Sequence, residues 1–435
     1  MYITQVEIQH IRSIQSLNIK FPEDRLSGWH VIIGDNGAGK SSLVRAIAMA
    51  LVGPYEIKAL RINPRDFLRQ GSTEGHCVIW VQQHQDYDRP SGKGKSQSKW
   101  DFPAGIGFRT AKGKIGTQVE VEAIKPDKNH KVILDPERYH WGSGKGWFSA
   151  SFGPFRRFTG GNREWEKVFY SNPRLAAHLS AFGEDVALTE ALEWLQQLHY
   201  RSLENRQEET HILQNMRTFI NTGELLPHRT RLEEVSSEGV FFVDGNESRV
   251  PVTEMSDGYR SVLSMTFELI RQMVDVYGAE EVFKEINEGN PIIDLPGVVL
   301  IDEVDAHLHP TWQVRIGKWF TRYFPQIQFI VTTHSPLICR AAEKGSVWRL
   351  AAPGSGLPSE QVKGTELKRL IYGNVLDAYS TEVFGENVTR SEEAHELLDE
   401  LAHLNKKSIK GTISKEEQKR LQDLRTIFPT EPVKE

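Results

Sequence analysis

The sequence predicts an α/β fold in which a parallel sheet is joined to an antiparallel β layer, a helical insertion and a C-terminal helical tail. Three observations predict it. The runs Trp29–Ile33, Gly297–Ile301 and Ile327–Val331 are short and almost wholly apolar, as expected of parallel strands covered on both faces. The first 21 residues instead alternate, with Ile3, Val6 and Ile8 followed by Ile14, Leu17, Ile19 and Phe21, the period of two half-buried strands turning at Arg12-Ser13. From residue 162 the pattern changes again, and Leu188, Leu192, Leu195 and Leu198 recur every three or four positions, the spacing of a helix face.

Each element follows from these periods. Leu43, Val44, Ile47, Ala48 and Leu51 place a helix directly after the strand Trp29–Ile33. Residues 76–135 alternate short β-like pieces with Gly-, Lys- and Ser-rich loops, which predicts an antiparallel layer against that first helix. The resulting organisation is an N-terminal lobe over 1–161, a helical insertion over 162–235, a C-terminal lobe over 236–350 and a helical tail over 364–435. In the tail, Leu367, Leu370 and Ile371, then Leu397, Leu398, Leu401 and Leu404, then Leu421, Leu424 and Ile427 form apolar stripes. Such stripes must be buried, either on the chain's own head or on a partner.

The bulk numbers set the class. With 39% hydrophobic and 26% charged residues over 435 positions, the chain reads as globular, with length enough for two or three structural units. No apolar run reaches the roughly 18 to 20 residues that a membrane-spanning helix needs, and the start has no signal-peptide layout, so a cytoplasmic protein without membrane partners is expected. Cys77 and Cys339 sit in separate apolar runs and read as reduced core thiols. A net charge of −5 argues against coating nucleic acid by overall charge.

Chemistry concentrates in four places. Gly34-Asp35-Asn36-Gly37-Ala38-Gly39-Lys40-Ser41, followed by Ser42, satisfies G-x-x-x-x-G-K-[ST] between a buried strand and a helix. In such a loop Gly34, Gly37 and Gly39 let the backbone N–H groups around Asn36 turn onto phosphate oxygens. Lys40 reaches the β- and γ-phosphates of ATP, and the Ser41 hydroxyl binds Mg²⁺. The strand Val298–Ile301 then delivers Asp302 and Glu303 to its C-terminal end, where ligands sit in parallel sheets. Asp302 is the second candidate Mg²⁺ residue, and Glu303 the candidate base that orients and deprotonates water. His334 leaves a neighbouring strand at the same edge and is a candidate γ-phosphate contact.

With Met255-Ser256-Asp257-Gly258-Tyr259-Arg260-Ser261, Val304-Asp305-Ala306-His307-Leu308-His309-Pro310 and His334-Ser335-Pro336, these motifs resemble ABC-type P-loop ATPase heads of the RecF, SMC and overcoming-lysogenisation-defect group. The resemblance covers residues 1 to about 350. It implies that Ser256 and Gly258 form a signature element contacting the γ-phosphate held by a second chain, hence a head dimer. It also implies that Arg12 approaches the nucleotide, and that His307 and His309 lie in an interface loop rather than a metal pair. Independently of family, Ser256 stands where it can cap the helix that follows.

More narrowly, Ser-Asp-Gly-Tyr-Arg-Ser and the element Ser151-Phe152-Gly153-Pro154-Phe155-Arg156 resemble bacterial defence ATPases of the Septu and retron-associated type. That resemblance implies an antiphage ATPase whose effector is a separate nuclease of HNH type, with nucleic acid engaged through the complex. The competing reading is a repair or chromosome-associated clamp that grips duplex DNA itself. One departure from the family pattern is that no single glutamine answers to its Q-loop residue, for which Gln70 and the Phe152–Arg156 segment are both candidates. Between Arg89 and Lys114, seven basic residues with Trp100 and Phe102 interleaved face one acid, Asp101. A solvated loop explains them as well as a phosphate-binding surface does.

Overall fold

A computed structural model describes residues 1–91, 101–113, 116–124, 135–142, 144–156, 171–183, 189–204, 206–374, 378 and 392–428. The chain opens with a hairpin, β1 (Tyr2–Ile11) and β2 (Ile14–Lys20), then β3 (Gly28–Ile33) and helix α1 (Lys40–Val52). Strands β4 (Glu74–Gln82), β5 (Phe102–Gly113) and β6 (Gly116–Ile124) follow. They complete an antiparallel sheet in the order β2-β1-β4-β5-β6. Strand β7 (Ser149–Phe152) precedes helices α2 (Glu190–Leu203) and α3 (Gln207–Thr222). A small meander comes next, β8 (Arg231–Ser236), β9 (Gly239–Val243) and β10 (Arg249–Pro251), and leads into the long helix α4 (Asp257–Tyr277). The remaining elements of the head are β11 (Gly297–Ile301), α5 (Pro310–Tyr323), β12 (Ile327–Thr332), β13 (Gly345–Arg349), β14 (Glu360–Gln361) and α6 (Gly364–Tyr372).

The second large sheet runs β14-β13-β3-β12-β11-β7. Its strands β13, β3, β12, β11 and β7 are mutually parallel, so their C-terminal ends share one edge. The three apolar runs of the sequence are β3, β11 and β12, each buried throughout. Helix α1 lies between the two sheets, and every residue in it except Ser41 and Arg45 is buried. Its five-residue apolar stripe therefore understated its burial, because a helix covered on both sides needs small or apolar residues all round.

Two boundaries differ from the sequence expectation. The insertion ends earlier than 235, because residues 231–236 form β8, whose Leu232 and Val235 pair with β9 across a shift in register between Leu232 and Glu234. Among the residues of 162–235, positions 162–170, 184–188 and 205 lie outside the described residues. The tail also begins later than 364. One compact unit spans Met1–Tyr372 and a second spans Gly373–Glu435, so α6 belongs to the head, and its Leu370 is fully buried.

In the second unit, α7 (Glu392–Ile409) and α8 (Lys415–Ile427) pack on each other. Leu404, Leu421 and Leu424 form the centre, with Leu397, Leu401, Ile413 and Phe428 around them. Ser414 and Glu417 make a capping box that starts α8, and Arg420 grips Glu400 across the hairpin through two bonds of 2.9 and 2.7 Å. The second and third tail stripes are thus buried mainly against each other, a solution the sequence reading did not weigh, whereas the first, through Leu370, is buried on the head. Removal of residues 373–435 is expected to leave a soluble head that still binds ATP, whereas truncation at 364 exposes the Leu370 site. Solubility and nucleotide binding of the two truncated chains check this.

Candidate active site

The loop between β3 and α1 is shaped by its glycines. Gly37 (φ 81°) and Gly39 (φ 100°) occupy the left-handed region, which side chains other than glycine enter only with strain. Gly39 is constrained a second time. A Cβ there would lie 2.8 Å from both Ile14 Cγ1 and Ser13 Oγ, at the β1–β2 turn. Gly39→Ala is therefore expected to destabilise the head by about 1–3 kcal/mol and to weaken ATP binding, measured by denaturant unfolding and nucleotide titration.

Lys40, at the first position of α1, is only 6% exposed. Its ammonium donates to the Gly34 carbonyl at 2.7 Å and the Asp35 carbonyl at 3.0 Å, so the side chain folds back over its own loop. Burial lowers its pKa, against the opposing pull of Glu303, Asp302, Asp35 and Asp305. A cation poised among carboxylates at the mouth of a glycine arch fits a triphosphate with a divalent cation between them. Ser41 and Ser42 occupy the next two positions of α1, and Asn36 is exposed in the loop.

Asp302 and Glu303 emerge from β11, one strand removed from β3. Asp302 is 2% exposed and accepts a 2.5 Å bond from the Thr332 hydroxyl. That hydroxyl in turn accepts the Glu303 N–H at 2.8 Å, so the end of β12 orders both acids. Glu303 itself has φ 47°. A non-glycine residue in this region costs about 1–3 kcal/mol and persists only where its surroundings hold it. Besides Thr332, the holder is Arg156, whose guanidinium donates to the Glu303 carbonyl at 3.0 Å and to the Asp302 carbonyl at 2.8 Å.

His334 is exposed just beyond β12, at the same sheet edge. Its backbone is fixed by Asp305, whose Oδ1 accepts from the Thr333 hydroxyl at 2.6 Å and from the His334 N–H at 3.4 Å. Asp305 stands in one of the sequence motifs without a role assigned to it, and Thr332 was not singled out. Their signal was position alone, one acid two residues after the pair and one threonine at a strand end.

Ser256 stands exposed at the N-cap of α4, yet its hydroxyl makes no capping bond, contrary to the role suggested by sequence. A Cβ on Gly258 would lie 2.8 Å from the His307 carbonyl. Close packing within the chain thus requires a glycine there, whatever a second chain brings. Arg12 (φ 47°) lies over the Phe67 ring at 4.5 Å and donates to the Asp66 carbonyl at 3.1 Å. Burial, followed by the proximity of Arg45 on α1, lowers its pKa.

Several other candidates resolve differently. His309 is the N-cap of α5, accepting the Thr311 N–H, and among the described residues no group of three or more metal-ligating side chains converges. Gln70 is exposed in the loop before β4. The segment that ends β7 carries Arg156, not a glutamine. Of the basic stretch, Lys93, Lys95, Lys99 and Lys114 lie outside the described residues, as does Trp100. Arg109 faces Glu122 at 3.5 Å and Glu74 at 3.9 Å, and Phe102 is a core residue against Tyr139. Phe102 is thus unavailable for base stacking because its ring fills the interior.

A family model described as "AAA domain, putative AbiEii toxin, Type IV TA system" matches residues 117–340, just over half of the chain. The chain belongs to this AAA-domain family. A second model, described as "AAA domain", matches residues 5–216 and takes in the P-loop. An AAA domain agrees with the glycine arch of Gly34–Lys40 and the paired carboxylates Asp302 and Glu303.

Curated relatives share the sequence to different extents. The chain is 25% identical over 437 residues to "Septu protein PtuA" of Bacillus mycoides (strain KBAB4), covering 97% of this chain and 50% of that protein. It is 37% identical over 108 residues to "Retron Ec83 probable ATPase" of Escherichia coli, covering 25% of this chain and 18% of that protein. The chain thus spans half the length of the first relative and less of the second. Among solved structures, an SMC head bound to the C-winged helix domain of ScpA aligns over 83% of this chain and 97% of its own, at 15% identity and TM-score 0.44. The RecF recombination mediator bound to ATPγS aligns over 83% and 98%, at 13% identity and TM-score 0.42. No helix among the described residues is long and apolar enough to cross a membrane.

Proposed function

We propose that the chain is the ATP-binding and ATP-hydrolysing switch of a bacterial antiphage system, in which ATP and Mg²⁺ pair two heads and hydrolysis releases them. The carrying observation is the division of labour at the site. Lys40, Asp302 and Glu303 gather at one sheet edge, while Ser256 stands exposed at a helix start with its hydroxyl capping nothing. A helix N-terminus with a free hydroxyl and N–H groups suits an anion supplied from outside. The γ-phosphate held by a second head is that anion, and Gly258 brings the backbone close to it. The likeness to Septu and retron-associated proteins supports the defence setting.

In this reading Ser41 and Asp302 hold Mg²⁺, which would supply charge neutralisation between the phosphates. Glu303 accepts the proton of the attacking water, and His334 hydrogen-bonds the γ-phosphate. The output is control of a separate effector, a nuclease of HNH type. The tail hairpin, with Ile409 87% exposed and Ile427 57% exposed, serves assembly or effector docking. The test has two parts. Light scattering of the purified chain should show a dimer with ATP and Mg²⁺ that is lost with ADP. Co-expression with the product of the neighbouring open reading frame should yield a complex, and deletion of residues 373–435 should abolish that complex but spare ATP binding. A chain that stays monomeric with ATP refutes the switch.

A further inference from the structure

Arg156 is a buried cation that makes no carboxylate contact of ion-pair length among the described residues, although Asp302, Asp305 and Glu303 act on it from further away. The residue is 5% exposed, and burial pushes its pKa down to about 10, leaving it charged at neutral pH. Four of its five N–H donors are used. Nη1 donates to the Gly153 carbonyl at 2.9 Å and the Asp302 carbonyl at 2.8 Å, Nη2 to the Glu303 carbonyl at 3.0 Å, and Nε to the Ser261 hydroxyl at 3.0 Å. Those acceptors belong to three separate parts of the head: the end of β7, the acidic loop after β11, and α4.

Ser261 is 2% exposed and lies five positions along α4 from Ser256. A helix transmits a displacement of its first turn to its second with little loss, because its hydrogen bonds join successive turns. Glu303, at the other side of the guanidinium, is held in a left-handed conformation that its own preference opposes. We propose that Arg156 is a positioning residue that couples the seating of Ser256 on a partner's nucleotide to the orientation of Glu303 in the same chain. This rests on the two-headed reading above. Its consequence is that engagement at one nucleotide site sets the hydrolytic competence of the other. The planar fork is essential, since a lysine ammonium is a point donor and cannot span three segments.

The experiment uses the full chain with Ser261→Ala and Arg156→Lys, and reads ATP turnover against ATP concentration, radiolabelled ATP affinity, ATP-dependent dimerisation and thermal unfolding. Ser261→Ala should dimerise as the parent does and bind ATP equally, with an unfolding temperature lowered only by the one buried N–H left without its acceptor. Its kcat should fall about 10-fold, the size expected for one lost charge-assisted hydrogen bond. Its Hill coefficient should drop from above one to about one. Arg156→Lys should lose more in kcat at an unchanged KM. A merely structural role predicts the lowered unfolding temperature alone, with normal turnover per folded chain. Dimers of Ser261→Ala that hydrolyse ATP cooperatively and at the parental rate overturn the coupling alone. A parent chain that never dimerises with ATP overturns both the coupling and the switch beneath it.

Discussion

Glu303→Gln is expected to bind ATP as the parent does and to hydrolyse it about 10²- to 10⁴-fold more slowly, the usual contribution of a general base. The amide keeps the shape of the side chain but cannot take the proton of water. The contacts that hold this residue are made by its backbone, to Thr332 and Arg156, so they survive the substitution. The defect should therefore appear in kcat with little change in stability or affinity. If ATP pairs two heads, the variant accumulates as an ATP-stabilised dimer, because the step that releases the partner is blocked. Steady-state turnover together with light scattering decides the matter. Parental turnover in the purified variant removes Glu303 from its role.

Lys40→Ala should act earlier and lose nucleotide binding. The ammonium is the only lysine cation in the loop, and hydrogen bonds to charged groups are each worth about 1.5–3 kcal/mol, which corresponds to an affinity loss of about 10- to 100-fold or more. The environment adds to this. Asp35, Asp302, Glu303 and Asp305 all act on Lys40 electrostatically, and without it they meet a triphosphate with no intervening side-chain charge. Calorimetric titration with ATP and Mg²⁺ measures the effect, and thermal unfolding controls for lost structure. Unchanged affinity would show that the arch is not the nucleotide site. Together the two variants separate binding from chemistry, since one should fail before the nucleotide arrives and the other after.

The parts of the site that were legible in sequence are those encoded locally. The glycine arch is a contiguous motif with a fixed spacing, and Asp302-Glu303 end an apolar run that can be read only as a buried strand. The hairpin turn at Arg12-Ser13 and the antiparallel layer followed from alternation. The signature motif was visible as well, although the expected cap by Ser256 is not made and Gly258 has a packing reason of its own. Arg156 was quoted only as part of a family element. Nothing about an arginine four residues beyond a short strand announces that it is buried.

Short or self-paired elements were the hardest to read. Strand β7 has only four residues and becomes an edge of the parallel sheet through β11, far along the chain. The leucine stripes of the tail revealed amphipathic helices but not their partner: the last two bury one another, and the first is buried on the head.

By itself the sequence determined most strand and helix types, β8 excepted, together with the P-loop motif and the acidic pair, because hydrophobic period and glycine freedom act over a few neighbouring residues. The tertiary structure alone decided the left-handed turn of Glu303, the ordering of both acids by Thr332 and the junction at Arg156. Those depend on hydrogen bonds between residues 29, 30, 105 and 146 positions apart. Only the folded sheet, which brings its C-terminal strand ends to one edge, places such groups within reach of each other.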